Sequence, residues 1–126
     1  MIIGIGVDIV ENARVGELLE KHGRTFQEKL FTEGELSYAR ERRRRTEHLA
    51  ARFAAKEAVA KALGQGIANG VSWRDIEVVH NDAGKPEVKL TGPVKDLAES
   101  MGVRSLHISL SHTDSHSIAF VVAEGN

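Results

Sequence analysis

The chain has 126 residues, a length that fits one domain over residues 1–126. Apolar residues make up 41% of it and charged residues 28%, and these proportions exclude a disordered or fibrous protein. Its 17 basic and 18 acidic residues leave a net charge of −1, which argues against a general nucleic-acid-binding protein and against a protein that binds anionic membranes. Cysteine is absent, so disulfide bonds and zinc–thiolate sites are excluded, and no long apolar segment occurs. We therefore expect a cytoplasmic protein without a membrane anchor.

The first predicted element is a strand over residues 2–9. Its side chains alternate, so that Ile3, Ile5, Val7 and Ile9 share one face while Gly4, Gly6 and Asp8 share the other. Glycines inside a strand weaken it and usually mark a place where another group approaches the backbone closely. We expect this glycine-lined face to be open to a ligand.

Three helices are predicted to follow the first strand. The first runs from Glu11 to His22 and is stopped by Gly23. Thr32 and Glu35 form a capping box that begins the second, a polar helix through Arg45. The third helix extends from about Glu47 to Leu63 and is ended by Gly64, because glycine is preferred just after a helix.

The second half of the chain is predicted to be mostly strand. Residues 76–79 and 87–90 flank a turn and predict a hairpin, and Pro93 and Gly102 bracket a short helix. Residues 106–111 alternate between apolar and polar side chains, and residues 117–123 are apolar on both faces, as in a central strand. This order predicts an α+β fold in which an antiparallel sheet, joined by the N-terminal strand, packs against helices.

The third predicted helix is the segment most informative about function. Glu57 lies at the border of its apolar face and Lys61 is one turn further along the same side, whereas Lys56 falls within the apolar face, which amphipathic packing does not explain. One interpretation of Glu57 and Lys61 is an exposed i, i+4 ion pair that contributes little stability. The other is a half-buried carboxylate that needs a cation, because six alanines and Phe53 imply close packing around it.

Asp8 also has two interpretations. Between a strand and a helix it can be a cap or turn residue. It can instead be a metal ligand on the glycine-lined face. Two carboxylates from separate elements, in a chain without cysteine or a His-x-x-x-His spacing, favour an oxygen-binding cation such as Mg²⁺, whose other ligands are water and substrate phosphate.

Arginines are concentrated at the end of the second predicted helix and in the first half of the third. A run of this kind is typical of a solvated helix face, but guanidinium groups also bind phosphate oxygens bidentately, so a polyphosphate ligand is the alternative. The members are Arg40, Arg42, Arg43, Arg44, Arg45 and Arg52. On the first predicted helix, Arg14, Lys21 and the following Arg24 indicate either a solvated stripe or a docking surface for an acidic partner.

Hydroxyl and imidazole groups alternate along the strand over residues 106–111, and His112 stands where that strand ends. Polar side chains on the exposed face of a sheet are the simplest interpretation of this pattern. A Ser–His–Asp triad cannot be inferred from it, because a triad is defined by geometry.

Three segments together resemble the holo-(acyl-carrier-protein) synthases, which are small single-domain 4′-phosphopantetheinyl transferases. The segments are Gly4-Ile5-Gly6-Val7-Asp8-Ile9, Arg52-Phe53-Ala54-Ala55-Lys56-Glu57-Ala58 with Lys61 and Gly64, and His107-Ile108-Ser109-Leu110-Ser111-His112. The resemblance spans essentially the whole chain and implies the 4′-phosphopantetheinyl transferase-like α+β fold.

The resemblance also implies roles for individual residues. Asp8 and Glu57 match magnesium ligands, and with Lys61, which matches a lysine beside the diphosphate of coenzyme A, they are the expected catalytic residues. Val10 stands where larger two-domain relatives carry a further acidic residue, so a water is expected in place of a third carboxylate. The residues expected to bind coenzyme A are Arg43, Arg44, Arg52, Lys61, Gly64, Lys85, Pro86, His112 and Thr113.

The reaction implied is the magnesium-dependent transfer of 4′-phosphopantetheine from coenzyme A to a serine of apo acyl carrier protein, with release of adenosine 3′,5′-bisphosphate, in support of fatty acid biosynthesis. Arg14 and Arg24 match a basic surface that receives the carrier protein, and family members are typically homotrimers with active sites between subunits. Neither nucleic acid nor membrane is an expected partner. The general base is open between Glu57, Lys61 and a metal-bound water.

Two functions from other classes are alternatives. One is an RNA-binding module built on the arginine run, against which stand the net charge of −1 and the presence of only six aromatic residues (Phe 4, Tyr 1, Trp 1). The other is a catalytically silent subunit that binds the carrier protein.

Overall fold

The computed structural model describes residues 1–64 and 72–126. The elements are β1 (Ile2–Glu11), α1 (Asn12–Leu30), α2 (Glu33–Arg40), α3 (Arg45–Ala62), a 3₁₀ turn (Trp73–Asp75), β2 (Ile76–His80), β3 (Pro86–Leu90), α4 (Gly92–Ser100), β4 (Val103–His112) and β5 (His116–Gly125). The predicted α+β class is therefore confirmed. Within the described residues, no helix has the combination of length and apolar character needed to cross a membrane.

The strands form two antiparallel sheets in the described part of the chain. One sheet has the order β1-β5-β4, so β5 is central as predicted, and the N-terminal strand joins it at an edge. The other is the β2–β3 hairpin, which stands as a sheet of its own and is not part of the larger sheet. The single antiparallel sheet expected from the second half of the chain is thus divided in two.

The helix boundaries differ from the predicted ones at two places. Gly23 leaves the helical conformation as expected, with φ 71° and ψ −164°, but helical residues resume after this kink and α1 continues to Leu30. The helix begun by the Thr32–Glu35 capping box ends at Arg40, five residues before the predicted end at Arg45. Just beyond this end, the side chain of Arg42 donates to the carbonyl of Tyr38 at 2.9 Å, and its backbone N–H donates to the carbonyl of Ala39 in a tight turn.

Gly4 and Gly6 bring α3 directly against β1. A Cβ atom at Gly6 would lie 1.9 Å from the carbonyl oxygen of Ala58, and one at Gly4 would lie 2.0 Å from that of Ala62. The expectation that the glycine-lined face is open is therefore wrong, because α3 covers it. The opposite face of β1 is the exposed one, and Ile5 and Ile9 there are 60% and 61% exposed.

The core has two clusters of buried side chains, and both contain residues of α3. In one cluster Ala58 of α3 packs with strand residues such as Val121, and in the other Leu49 packs with Phe31 and other residues of α1 and α2. Val10 of β1 contacts both clusters. Full burial of a side chain such as Leu49 contributes roughly 1.5–3 kcal/mol, so α3 is stabilised along most of its length.

Candidate active site

Asp8, Glu57 and Lys61 meet where β1 crosses α3, and we call these three residues the carboxylate cluster. Asp8 lies on the glycine-lined face of β1 and is therefore directed at α3, while Glu57 and Lys61 are one turn apart on that helix. The Lys61 ammonium donates to Asp8 Oδ1 at 3.1 Å and to the carbonyl of Val7 at 3.0 Å. The sequence prediction that places these residues together is consistent with this geometry.

The electrostatics of the carboxylate cluster favour a cation. Partial burial raises the pKa of Glu57, the negative charge of Asp8 raises it further, and Lys61 offsets part of this effect. Two carboxylates thus repel each other across β1 and α3, with one exposed ammonium nearby. An exposed Glu57–Lys61 ion pair does not describe the site, because Lys61 bonds Asp8 on another element.

Asp8 is not a helix cap. Strand β1 continues for three residues beyond it, and the N-cap residue of α1 is Glu11, whose side chain makes no capping hydrogen bond. The side chain of Asp8 is 17% exposed and is held against α3 by Lys61. The cap or turn interpretation of Asp8 is therefore wrong, and its role as a metal ligand stays a prediction.

The donor set of the carboxylate cluster fits Mg²⁺. No group of three or more His, Cys, Asp or Glu side chains suited to a metal occurs among the residues described. A pair of carboxylates is nevertheless what Mg²⁺ commonly takes from a protein, since water and substrate phosphates complete its octahedral coordination. Asp8 and Glu57 are the residues that would hold it.

Lys56, which the amphipathic pattern left unexplained, forms a buried ion pair. Its side chain is fully buried, and its ammonium donates to Glu35 Oε1 at 2.7 Å, to the carbonyl of Trp73 at 3.0 Å and to that of Ile76. Burial lowers the pKa of Lys56 and the charge of Glu35 partly offsets that effect. Glu35 also accepts the backbone N–H groups of Thr32 and Val78, so every polar atom of the pair is used.

Basic side chains surround the ring of Tyr38 at a second place on the molecule. We call this set the basic cluster, and its members are Tyr38, Arg42, His48, Arg52 and His80. The guanidinium carbon of Arg42 lies 3.3 Å from the ring centroid of Tyr38 and that of Arg52 lies 4.3 Å from it. His80 stacks on the same ring at 4.7 Å, and His48 meets it edge-on at 5.6 Å. These contacts assemble five residues from α2, the following turn, α3 and β2.

Arg52 lies beneath the surface, although the sequence pattern indicated a phosphate contact for it. Its side chain is 1% exposed, and its Nη atoms contact the carbonyl of His48 and His80 Nδ1, both at 3.2 Å. Its buried Nε has no hydrogen-bond partner among the described residues. In this conformation Arg52 contributes charge from below and does not present its guanidinium to a ligand.

The two histidines of the basic cluster lie close to its arginines, which disfavours their protonated forms. Burial lowers the pKa of His48 and of His80, and the charges of Arg52 and Arg42 lower both further. Sequence reasoning missed these histidines and Tyr38. The spacing of His48, one turn before Arg52, is a signal that could have found one of them, whereas Tyr38 and His80 are brought in only by tertiary contacts.

The other residues expected to bind coenzyme A lie around the basic cluster. Arg44 bonds Glu47 at 3.2 Å and, at 3.4 Å, Asp114 in the turn after His112 and Thr113. Pro86 pairs with His80 in the β2–β3 hairpin, next to Lys85. Arg43 is exposed in the turn before α3. The structure therefore brings most of the expected nucleotide-binding residues to one end of α3.

Gly64 and the carboxylate cluster lie at the other end of α3. Gly64 follows the helix with φ 72°, and its N–H bonds the carbonyl of Lys61 at 3.0 Å. Nine residues separate Arg52 from Lys61, which corresponds to about 13 Å along the helix axis at 1.5 Å per residue. The candidate site is thus two groups of residues, one basic and one acidic, separated along a single helix.

Arg14 lies in a surface groove at the start of α1. The groove has a volume of about 460 Å³, and its lining also includes Leu18, Phe53 and His116. Arg24 is further along, just after the kink, and pairs with Glu28 at 3.0 Å. This part of α1 combines exposed cations with an exposed apolar side chain, Leu18, as a docking surface for an acidic amphipathic partner requires.

Known proteins resemble this chain over nearly its full length. The profile of the 4′-phosphopantetheinyl transferase superfamily matches residues 4–121. A holo-[acyl-carrier-protein] synthase of Caldanaerobacter subterraneus subsp. tengcongensis is 43% identical over 125 residues, which are 99% of this chain and 97% of the relative.

Solved structures give the same result. The holo-[acyl-carrier-protein] synthase of Neisseria meningitidis superposes with a TM-score of 0.89 and 42% identity, covering 98% of this chain and 99% of that one. The holo-[acyl-carrier-protein] synthase of Helicobacter pylori, solved in complex with coenzyme A, superposes with a TM-score of 0.84 and 30% identity, covering 95% of this chain and 99% of that one.

Proposed function

The chain belongs to the 4′-phosphopantetheinyl transferase superfamily and is an enzyme of the holo-[acyl-carrier-protein] synthase type, and from this we propose that it transfers 4′-phosphopantetheine from coenzyme A to a serine of apo acyl carrier protein. Adenosine 3′,5′-bisphosphate is the second product, and the reaction depends on Mg²⁺. The carrier protein so modified would serve fatty acid biosynthesis. The observation that carries the proposal is the meeting of Asp8, Glu57 and Lys61 where β1 crosses α3.

The chemistry follows from the charges of the carboxylate cluster. The serine oxygen forms a bond to the β-phosphorus of coenzyme A, and the bond from that phosphorus to the bridging oxygen breaks, leaving this oxygen on the 5′-phosphate of the nucleotide. Mg²⁺ held by Asp8 and Glu57 would supply positive charge at the diphosphate. Lys61, whose side chain is 53% exposed, can turn from Asp8 to the leaving phosphate and stabilise its developing charge. The acceptor of the serine proton is proposed to be one of three groups: Glu57, Lys61 or a metal-bound water.

The basic end of α3 is proposed to hold the nucleotide of coenzyme A. Arg43 and Arg44 are near the surface and can bind phosphate oxygens directly, and Arg52 adds positive potential from beneath them. His112 and Thr113, at the end of β4, and Lys85 and Pro86, in the hairpin, are proposed to bind the 3′-phosphate and adenosine. Gly64 is proposed to lie beside the diphosphate, next to the carboxylate cluster.

We also propose a homotrimer with active sites at subunit interfaces. The exposed face of β1 and β5 is apolar, and its members include Ile5, Val7, Ile9, Ile118 and Phe120. A cavity of about 270 Å³ beside Lys61 is lined by Ile5, Val7 and Phe120 of this face. A second subunit that covers the apolar face would therefore also bound the carboxylate cluster, and could bring its own basic cluster there.

Residues 1–126 are proposed to form one transferase domain, because both core clusters share α3 and Val10. Arg14 and Arg24 are proposed to receive the acidic carrier protein on α1, and Leu18 supplies an apolar contact in the same groove.

Transfer is tested by mass spectrometry of apo carrier protein incubated with the chain, coenzyme A and Mg²⁺. We expect the carrier protein to gain the phosphopantetheine mass with the wild-type chain, and the rate to fall by at least about 100-fold in Asp8→Ala and in Glu57→Ala, because electrostatic stabilisation of charge contributes factors of this order. Both variants should stay folded by circular dichroism. Asp96→Ala, which removes an exposed carboxylate from α4, is the matched control and should retain wild-type rates.

Three results would contradict the proposal. Near-normal turnover of both variants at saturating Mg²⁺ would remove the carboxylate cluster from the mechanism. Binding of carrier protein without any gain of mass would instead indicate the catalytically silent subunit, and salt-dependent RNA binding without magnesium-dependent binding of coenzyme A would indicate the RNA-binding module.

A further inference from the structure

Asn12, the first residue of α1, is a buried polar residue that the proposed reaction does not use. It is 4% exposed, and its side-chain amide nitrogen donates to the carbonyl oxygens of Thr113 and Asp114, both at 3.2 Å. Its amide oxygen accepts from the hydroxyl of Ser117 at 2.7 Å, and Ser117 is fully buried. The backbone N–H of Asn12 donates to the carbonyl of Ser115 at 2.9 Å.

These four hydrogen bonds tie the whole turn between β4 and β5 to the start of α1. Three consecutive carbonyls of the turn, those of Thr113, Asp114 and Ser115, are bonded by one residue. An amide side chain is needed for this arrangement, since it alone offers two N–H donors and one acceptor at its tip. Buried polar groups cost free energy when they lose their partners, so the turn has one favoured position.

The turn carries groups of the proposed nucleotide site. Thr113 follows His112 directly, its hydroxyl accepts the N–H of His116 at 3.1 Å, and the carboxylate of Asp114 accepts from Arg44 at 3.4 Å. A displacement of the turn would therefore move Thr113, His112 and, through Asp114, the guanidinium of Arg44. All three residues are proposed above to bind the nucleotide end of coenzyme A.

We infer that Asn12 is a positioning residue for the 3′-phosphate of coenzyme A: it holds the Thr113–Ser115 turn where His112, Thr113 and Arg44 can bind that phosphate together. This inference rests on the proposed function, which assigns the phosphate to the turn. Asn12 is also two residues before Arg14, so one residue connects the helix proposed to dock the carrier protein with the turn proposed to bind the donor substrate.

The test compares coenzyme A with dephospho-coenzyme A, which lacks only the 3′-phosphate, by calorimetry and by steady-state kinetics. In Asn12→Ala we expect the Kd and KM for coenzyme A to rise about tenfold, equivalent to the loss of one hydrogen bond to a charged group, with kcat nearly unchanged. The Kd for dephospho-coenzyme A should not change. A purely structural defect would weaken binding of both compounds equally.

Ser117→Ala is the matched control, because it also removes a buried hydrogen bond of Asn12 but leaves the two amide N–H groups on the turn. We expect it to discriminate between the two compounds as the wild type does. Asn12→Ser, which is one bond shorter and keeps a hydroxyl beside Ser117, replaces Asn12→Ala if that variant does not fold. It should show the same selective loss of affinity for coenzyme A.

Two outcomes separate the inference from the proposed function. If the wild type prefers coenzyme A to dephospho-coenzyme A and Asn12→Ala keeps the full preference, the positioning role is overturned while the proposed function stands. If the wild type transfers phosphopantetheine equally well from both compounds, the assignment of the 3′-phosphate to this turn is overturned, and the role of Asn12 with it.

Discussion

Replacing Gly6 by alanine should separate β1 from α3 and thereby disrupt the carboxylate cluster. The added Cβ would lie 1.9 Å from the carbonyl oxygen of Ala58 and 2.8 Å from the backbone nitrogen of Ala62. Both atoms belong to the backbone of a helix, so neither can rotate away as a side chain does. To restore an ordinary contact of about 3.4 Å, the two elements must move apart by about 1.5 Å.

That displacement has a cost in stability and a separate cost in function. Overpacking typically destabilises by 1–3 kcal/mol, and because helix backbone is the obstacle we expect roughly 3 kcal/mol here. The bond from Lys61 to Asp8 Oδ1, now 3.1 Å, would lengthen beyond hydrogen-bond distance, and Glu57 would recede from Asp8 with it. Transfer activity at saturating Mg²⁺ should therefore fall even at temperatures where the variant is fully folded.

Urea denaturation and the carrier-protein assay measure these two effects. Gly16→Ala is the control, because its Cβ would meet only a methyl group of Thr46, at 3.0 Å, and because alanine favours a helix interior by about 0.5–1 kcal/mol over glycine. We expect its free energy of unfolding to stay within about 1 kcal/mol of the wild type. The reasoning is refuted if Gly6→Ala unfolds at the wild-type urea concentration and turns over at the wild-type rate.

Two further predictions concern the carboxylate cluster and the apolar face. Burial and Asp8 raise the pKa of Glu57, so the folded chain keeps this proton to a higher pH than the unfolded chain, and the metal-free stability falls as pH rises through the window between the two pKa values. Glu57→Gln should therefore be more stable than the wild type above that window. Below about pH 4 the two proteins should be equally stable, because Glu57 is then protonated in both the folded and the unfolded wild-type chain. Thermal denaturation without metal measures this difference, and equal stability at every pH would contradict the prediction. Phe120→Asp places a charge on the apolar face where Phe120 is 45% exposed, so light scattering should report monomers in place of the trimer proposed for the wild type. A variant that stays trimeric, or a monomeric wild type, would count against the proposed assembly.

The sequence predicted the elements that carry the site better than it predicted which faces they bury. The alternation over residues 2–9 correctly grouped Gly4, Gly6 and Asp8, because side chains on a strand have a period of two. It did not establish which group faces inward, and the expectation that the glycine-lined face is open was wrong. Glycines are small enough for a helix to lie on them, and this close packing outweighed the usual burial of isoleucine, whose face is exposed in the single chain.

Residues that depend on distant partners were the least predictable. Lys56 conflicted with the apolar pattern, but its partner Glu35 was identified only as a capping-box residue, and their contact joins positions 21 apart in the chain. Arg52 begins one of the three segments that resemble the family and was expected to bind a phosphate of coenzyme A. Instead, Tyr38 of α2 and His80 of β2 cover its side chain. Such contacts are set by the packing of separate elements, which periodicity within one element does not encode.

Helix α3 shows why spacing within one element could be predicted from the sequence and contacts between elements could not. Arg52 and Lys56 are one turn apart on one side of the helix, and Glu57 and Lys61 are one turn apart on a side rotated by about 140°. The spacing alone establishes these two pairs. Only the tertiary structure shows that the first pair is buried against α2 and β2 and that the second meets Asp8. Because Lys56 and Glu57 are adjacent, the three hydrogen bonds that fix the Lys56 ammonium also fix the rotation of α3, and with it the direction in which Glu57 meets β1.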